Sequence, residues 1–301
     1  MKNSSLLIGT LLIIDSMHYV FARMLVPHLP PSTSAFFVLL IGTTEVGIYG
    51  IATKQLSFTT FQKNVWFFLG IGLLVAVSTD LNYAAVGYID PGTASLLGKT
   101  GQIWSLGLGL FWLQEKLTRP QFLGATLALG GVFVISYQVG EYNRVGTFMV
   151  LAATFLYALH TGMTKKFGED MNFVNFFFFR LLVTSFFLFL ITTITGTITW
   201  PSPTAWGYLL LVGTLDVTFS RSIYYLSLRR LNLSIHTLVL TLSPVVAILW
   251  TIFIFDIYPS TQQLIGGFIV IFGLLIVGKY RESKNNNGES NNFVQPPHIS
   301  Q

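Results

Sequence analysis

The run from Trp112 to Ser136, WLQEKLTRPQFLGATLALGGVFVIS, has a counterpart later in the chain. Shifted by 142 residues, Gln121, Gly124 and Gly131 fall on Gln263, Gly266 and Gly273. These lie within LTLSPVVAILWTIFIFDIYPSTQQLIGGFIVIFGLLIVG, from Leu240 to Gly278. The same offset lays Tyr83 on Tyr225, Leu96 on Leu238 and His18 on His160. One fixed offset that serves several helices of each half marks a duplicated structural unit.

The unit is built for a bilayer. Of 301 residues, 52% are hydrophobic and 10% charged, and mean hydropathy is +0.65. A soluble domain carries about 25% charged residues, so this chain lacks the polar groups to cover a water-facing exterior. Disorder and a collagen-like repeat are excluded by the same composition. The absence of Cys excludes a disulfide-stapled fold and metal–thiolate sites. Stretches of about 20 apolar residues can cross a membrane. Ten are read, near 4–26, 34–53, 64–88, 91–113, 119–138, 146–164, 171–195, 205–228, 233–256 and 260–279. The first is read as a span and not a cleaved signal, because Asp15, Met17 and His18 follow without an A-x-A-like site. Five helices per half is an odd number, so the second half enters the membrane inverted. The expected fold is an all-α integral membrane protein of ten transmembrane helices, as two inverted five-helix repeats over 1–140 and 141–281. The polar, Asn-rich stretch 282–301 reads as a disordered cytoplasmic tail.

Charge sets the orientation. The loops on the N-terminal side hold Lys2, Lys54, Lys63, Lys116, Arg119, Lys165, Lys166, Arg229, Arg230, Lys279, Arg281 and Lys284; the opposite side holds only Arg23 and Arg144. Positive loops stay inside, so both termini are expected in the cytoplasm. The net charge of +5 is this topology signal, and no basic patch suggests nucleic acid.

The stretch Trp112–Ser136, its second copy, and FFRLLVTSFF around Arg180 resemble the repeats of drug/metabolite transporters of the EamA type. The resemblance covers residues 1–280. Gln102 stands where that family often has Pro, and Asp256 lies one place before its usual acid. The resemblance implies a plasma-membrane carrier that moves a small polar or amphipathic metabolite by alternating access, with export favoured, as a monomer or homodimer. No cofactor or enzyme activity is expected. A non-transporting scaffold or partner subunit is the alternative, and a membrane enzyme a weaker one.

Seven charged residues lie well inside spans: Asp15, Glu45, Asp80, Lys99, Arg180, Asp216 and Arg221. Each would cost about 2.5–3.5 kcal/mol facing lipid at a helix centre, so they must face a polar interior and each other. Lys99 and Arg221 are candidates to hold a carboxylate or phosphate. Asp15, His18, Asp80, Asp216, Tyr224 and Tyr225 complete the expected substrate site, with Tyr83 and Trp104 as a possible aromatic wall. Glu45 or Asp216 could take up a proton, a structural role for Glu45 being equally open. Arg180 reads as a structural anchor. At 100° per residue Asp216 and Arg221 lie on different faces of their helix. Asp80 and Lys99 lie at equal depth on spans joined by a tight turn at Asp90-Pro91, and are expected to pair. Gly72, Ala76, Gly101, Ser105 and Gly109 mark close helix packing.

Several motifs fail. GTASLLGKT, from Gly92 to Thr100, has five residues between its glycines where a phosphate loop needs four. No H-E-x-x-H or G-x-S-x-G is present. The two N-x-S matches, at Asn3 and Asn232, fall on the expected cytoplasmic side.

Overall fold

The computed structural model describes residues 9–10, 12–111, 119–136, 141–167, 171–223 and 242–289. All regular structure among them is helical. A turn at Met17 separates helical residues 12–16 from α1 (His18–Leu25). There follow α2 (Pro31–Ala52), the short α3 (Phe58–Lys63), α4 (Val65–Ala85), α5 (Pro91–Gly98) and α6 (Thr100–Phe111). The chain continues with α7 (Arg119–Ser136), α8 (Glu141–Phe167), α9 (Phe173–Ile194) and α10 (Pro203–Val212). α10 passes into a π-helical segment, Gly213–Phe219, and the described chain closes with α11 (Ser243–Phe255) and α12 (Thr261–Glu289).

Helix starts follow local chemistry. Proline stands at the first turn of α2, α5, α10 and α11, where its missing N–H is not needed. Asp90 caps α5 by accepting from the Thr93 N–H at 2.9 Å and the Thr93 hydroxyl at 2.6 Å. Asn172 and Ser202 cap α9 and α10 in the same way.

The polarity of the molecule is reversed relative to a soluble fold. Trp66 and Phe253 are each 83% exposed and Ile194 82%, whereas Arg180, Asp216 and His160 are each 5% exposed. Such a surface suits lipid. Pro31–Ala52, Val65–Ala85, Arg144–Thr164 and Phe173–Ile194 are each long and apolar enough to cross a bilayer.

Helices α7 and α12 make the most extensive contact, α2 packs on α9, α4 on α8 and α9, and α5 on α11. The α7–α12 contact is glycine-mediated: a Cβ on Gly124 would meet the Gly273 carbonyl at 2.6 Å, and one on Gly131 the Gly266 carbonyl at 2.7 Å. The expected close packing at Gly72 is present, since its Cβ would meet Val183 at 2.5 Å. Gly101 is looser, 3.7 Å from Thr154.

Two features of the spans differ from expectation. The fourth span is not one helix but two, hinged at Lys99. The last helix runs on to Glu289, past Glu282 where a disordered tail was expected; extending a formed helix costs far less than nucleating one.

Candidate functional site

Three irregular points of the helices are linked through side chains of the first span. They are the turn at Met17, the hinge at Lys99 and the π-helical Gly213–Phe219. π-helical turns are rare and recur at functional sites. Here the π segment carries Asp216, whose Oδ2 lies 2.7 Å from Nδ1 of His18. On its other side the same segment holds Glu45: Thr214 donates to Oε1 at 2.6 Å and Thr218 to Oε2 at 2.5 Å.

His18 and Asp216 line a cavity of about 60 Å³. Arg180 and Arg221 also line it, with Tyr157, Tyr83, Asn82, Thr79 and Ser78 as further polar walls. Leu39, Val75, Phe177, Leu181 and Val217 supply its apolar part. Asp216 and Arg221, expected on different faces of their helix, both border this one cavity.

The expected Asp80–Lys99 pair is likewise corrected. Lys99 Nζ lies 3.8 Å from Asp15 Oδ2, while buried Asp80 Oδ1 has no hydrogen-bond partner. The equal-depth argument assumed a continuous fourth span. Instead α5 ends at Gly98, and the first span packs directly there: a Cβ on Gly98 would lie 2.8 Å from the Tyr19 hydroxyl. That contact presents Lys99, at the hinge, to the first span and not to the third. The polar stripe of the first span is therefore shared among three elements. Asp15 meets Lys99, His18 meets Asp216, and the Tyr19 hydroxyl reaches Asn82 Oδ1 at 3.3 Å.

Of the expected site residues, His18, Asp216 and Arg221 line the cavity. Asp15, Lys99 and Asp80 are not among its lining residues. Tyr224 and Tyr225 lie outside the described residues. Of the expected aromatic wall, Tyr83 faces the cavity, whereas Trp104 packs edge-on against Phe155. His160 is buried beside Tyr157, ring centroids 5.1 Å apart.

Ser78, Thr79, Asn82 and Tyr157 are polar lining groups that sequence reasoning did not name, and Arg180, read as an anchor, also lines the cavity. A signal for Tyr157 existed, because it stands 142 residues after Asp15. The offset recurs around the cavity. Leu39 and Leu181, Val75 and Val217, and Thr79 and Arg221 are each 142 apart, and both members of each pair line it. Thr43 and Ser185, again 142 apart, meet through their hydroxyls at 3.0 Å. The charges break this pattern: Arg180, Asp216 and Arg221 correspond to Val38, Leu74 and Thr79.

Known proteins agree with this architecture. An uncharacterized transporter of Synechocystis is 23% identical over 70% of this chain and 65% of its own length. An uncharacterized transporter of Methanothermobacter thermautotrophicus is 24% identical over 80% of this chain and 73% of its own. The chain thus spans just under two thirds of the first of these relatives. A solved crystal structure of a protein superposes with a TM-score of 0.65 at 17% identity, covering 93% of this chain and 99% of its own, a likeness of fold alone. The EamA-like transporter family matches residues 4–137 and again residues 144–279. Two matches that together span nearly all of the helical chain settle the assignment: the chain belongs to the EamA-like transporter family.

Proposed function

We propose that the chain is a secondary carrier that moves a small polar or amphipathic metabolite by alternating access about the His18–Asp216–Arg221 cavity. The observation that carries this reading is a charged, buried cavity lined by paired positions of the two halves. A midplane site where repeats meet is the arrangement secondary transporters use. Export across the plasma membrane, with both termini cytoplasmic, is the direction and orientation we favour. Ten spans in two inverted five-helix halves, over 1–140 and 141–281, follow from the same pattern. Gly124 meets the 142-offset copy of Gly131, and Gly131 meets the copy of Gly124. Such reciprocal contact is what a twofold axis produces. Asp15, Lys99 and Asp80 border this site in our reading and respond to its occupancy. Tyr224 and Tyr225 extend it.

The chain has no native Cys, so introduced cysteines report access without background. A cysteine at Val75, in the cavity, is expected to react with membrane-impermeant thiol reagents from either face. Reaction from one face only, in all conditions of substrate and pH, would exclude alternating access. A cysteine at Asn143 is expected to label from outside and one at Arg230 from inside; the reverse result would invert the topology.

Glu45 is the favoured proton carrier. Four intramembrane carboxylates outnumber the three fixed bases, so a proton can supply the missing positive charge. Protonation turns one Glu45 oxygen from acceptor to donor, and the threonine hydroxyl of the π segment that donates to it must then accept instead. Glu45→Gln imitates the protonated form. It is expected to reduce gradient-driven accumulation at least tenfold while leaving substrate exchange intact. Unaltered accumulation in the variant would transfer the role to Asp216 or remove coupling altogether.

A further inference from the structure

We infer that Arg180 captures a carboxylate group of the transported molecule, and that the substrate class is a small organic monoanion with an apolar body. This rests on the transport reading above and deepens it.

The first observation is a vacancy. Arg180 is 5% exposed, lines the cavity, and its Nε has no hydrogen-bond partner. No acid pairs with it among the described residues: Asp216 is taken by His18 and Asp15 by Lys99. The stretch 224–241 contains no Asp or Glu, so no counter-ion can come from there. A buried guanidinium without a carboxylate is costly, and the planar fork it presents matches two carboxylate oxygens. Arg180 donates to the Tyr157 hydroxyl, which leaves the hydroxyl's own proton as a further donor at the same place.

The second observation is the repeat. The position equivalent to Arg180 is Val38, and that of Asp216 is Leu74. Val38 is fully buried at the equivalent position of the other half, so the fold does not need a cation there. The charge is an addition to a scaffold that closes without it.

Charge balance narrows the class. Asp216 is held by His18 and Arg221 is engaged elsewhere, so the donor left to answer is that of Arg180. One singly charged group answers one guanidinium, which fits a carboxylate better than a dianionic phosphate. Asp216, already held by His18 at 2.7 Å, leaves no lining carboxylate for an ammonium group. Leu39, Val75, Phe177, Leu181 and Val217 accept an apolar body.

The test uses one phenyl body with four head groups: phenylacetate, phenyl phosphate, phenylalanine and phenethylamine. Purified full-length protein in liposomes is expected to move phenylacetate in a saturable way, at least tenfold faster than phenethylamine and faster than the other two. Arg180→Val, which copies the first repeat, is expected to fold and to lose saturable phenylacetate flux at least tenfold. Arg180→Lys, which keeps the charge and loses the fork, is expected to fall between them. Preference for the phosphate, the zwitterion or the amine would overturn the carboxylate assignment. Equal phenylacetate flux in a folded Arg180→Val protein would overturn the role of Arg180. If that variant fails to fold, the Arg180→Lys rate decides, parent-like flux overturning the assignment. Movement of none of the four probes would overturn the inference, whereas the carrier reading stands or falls separately on two-sided labelling of the Val75 cysteine.

Discussion

Gly273→Leu is expected to destroy the fold, while Gly130→Leu leaves it intact. A Cβ at Gly273 would sit 2.5 Å from the Gly124 carbonyl oxygen, 2.6 Å from the Ala128 nitrogen and 3.0 Å from the Ala128 Cβ. The first two are backbone atoms, so no rotamer change relieves the clash. The helices α7 and α12 must move apart, and the contact they lose includes Gly131 against Gly266. In a membrane no hydrophobic effect drives helices together, and close backbone approach is what holds them. Overpacking of a tight contact costs about 1–3 kcal/mol and sometimes more; a clash with backbone on a rigid helix belongs at or above the upper end. A Cβ at Gly130 would meet nothing within 4 Å, and leucine there gains roughly 0.5–1 kcal/mol of helix propensity over glycine. Thermal unfolding in detergent and recovery of monodisperse protein measure both variants. A Gly273→Leu protein that melts with the parent would show that α7 and α12 do not meet at this glycine.

Those glycines stood out in the sequence as repeat markers, because Gln121, Gly124 and Gly131 recur at a constant offset; close packing was read instead at Gly72, Ala76, Gly101, Ser105 and Gly109. Four of the apolar spans, near 34–53, 64–88, 146–164 and 171–195, were legible because length and hydropathy are properties of one segment at a time. Proline and capping residues such as Asp90 then fixed where many helices begin.

What the sequence did not disclose are departures from ideal helix. Neither the hinge at Lys99 nor the π segment carries a proline; Gly98 and Gly101 flank the hinge, but Gly101 was read for packing and not as a break. Both were read as continuous α-helix. For the fourth span that assumption set Lys99 at the depth of Asp80. The partners of the first span were hidden for another reason. His18 meets Asp216 across 198 residues, and no periodicity encodes so distant a pairing. Arg180 was read as an anchor because arginine is common at that position in related repeats. The better clue was its mismatch with Val38, the same kind of asymmetry that the repeat shows at Asp216 and Arg221. In a duplicated fold, positions that agree between halves report on the scaffold, and charged positions that disagree point to chemistry.

Lys99→Met is expected to destabilise the protein and Asp15→Asn to rescue it. Removing one member of a buried pair strands the other, at a cost of about 3–5 kcal/mol. The lower end applies here, because the charges are 3.8 Å apart and the side chains of Lys99 and Asp15 retain 15% and 24% exposure. Removing both leaves a neutral contact, which is often close to the parent in stability. The combination Asp15→Asn with Lys99→Met should therefore unfold near the parent, and Asp80→Asn with Lys99→Met should not. That contrast separates the partner seen in the structure from the one that equal depth alone suggests. It bears on transport as well, since the pair joins the helical residues below the Met17 turn to the hinge between α5 and α6. If this clasp opens and closes during the cycle, the doubly neutral protein folds but exchanges substrate at a changed rate. If the clasp is static, its rate matches the parent. Rescue by Asp80→Asn in place of Asp15→Asn would return Lys99 to the third span and remove the hinge from the account.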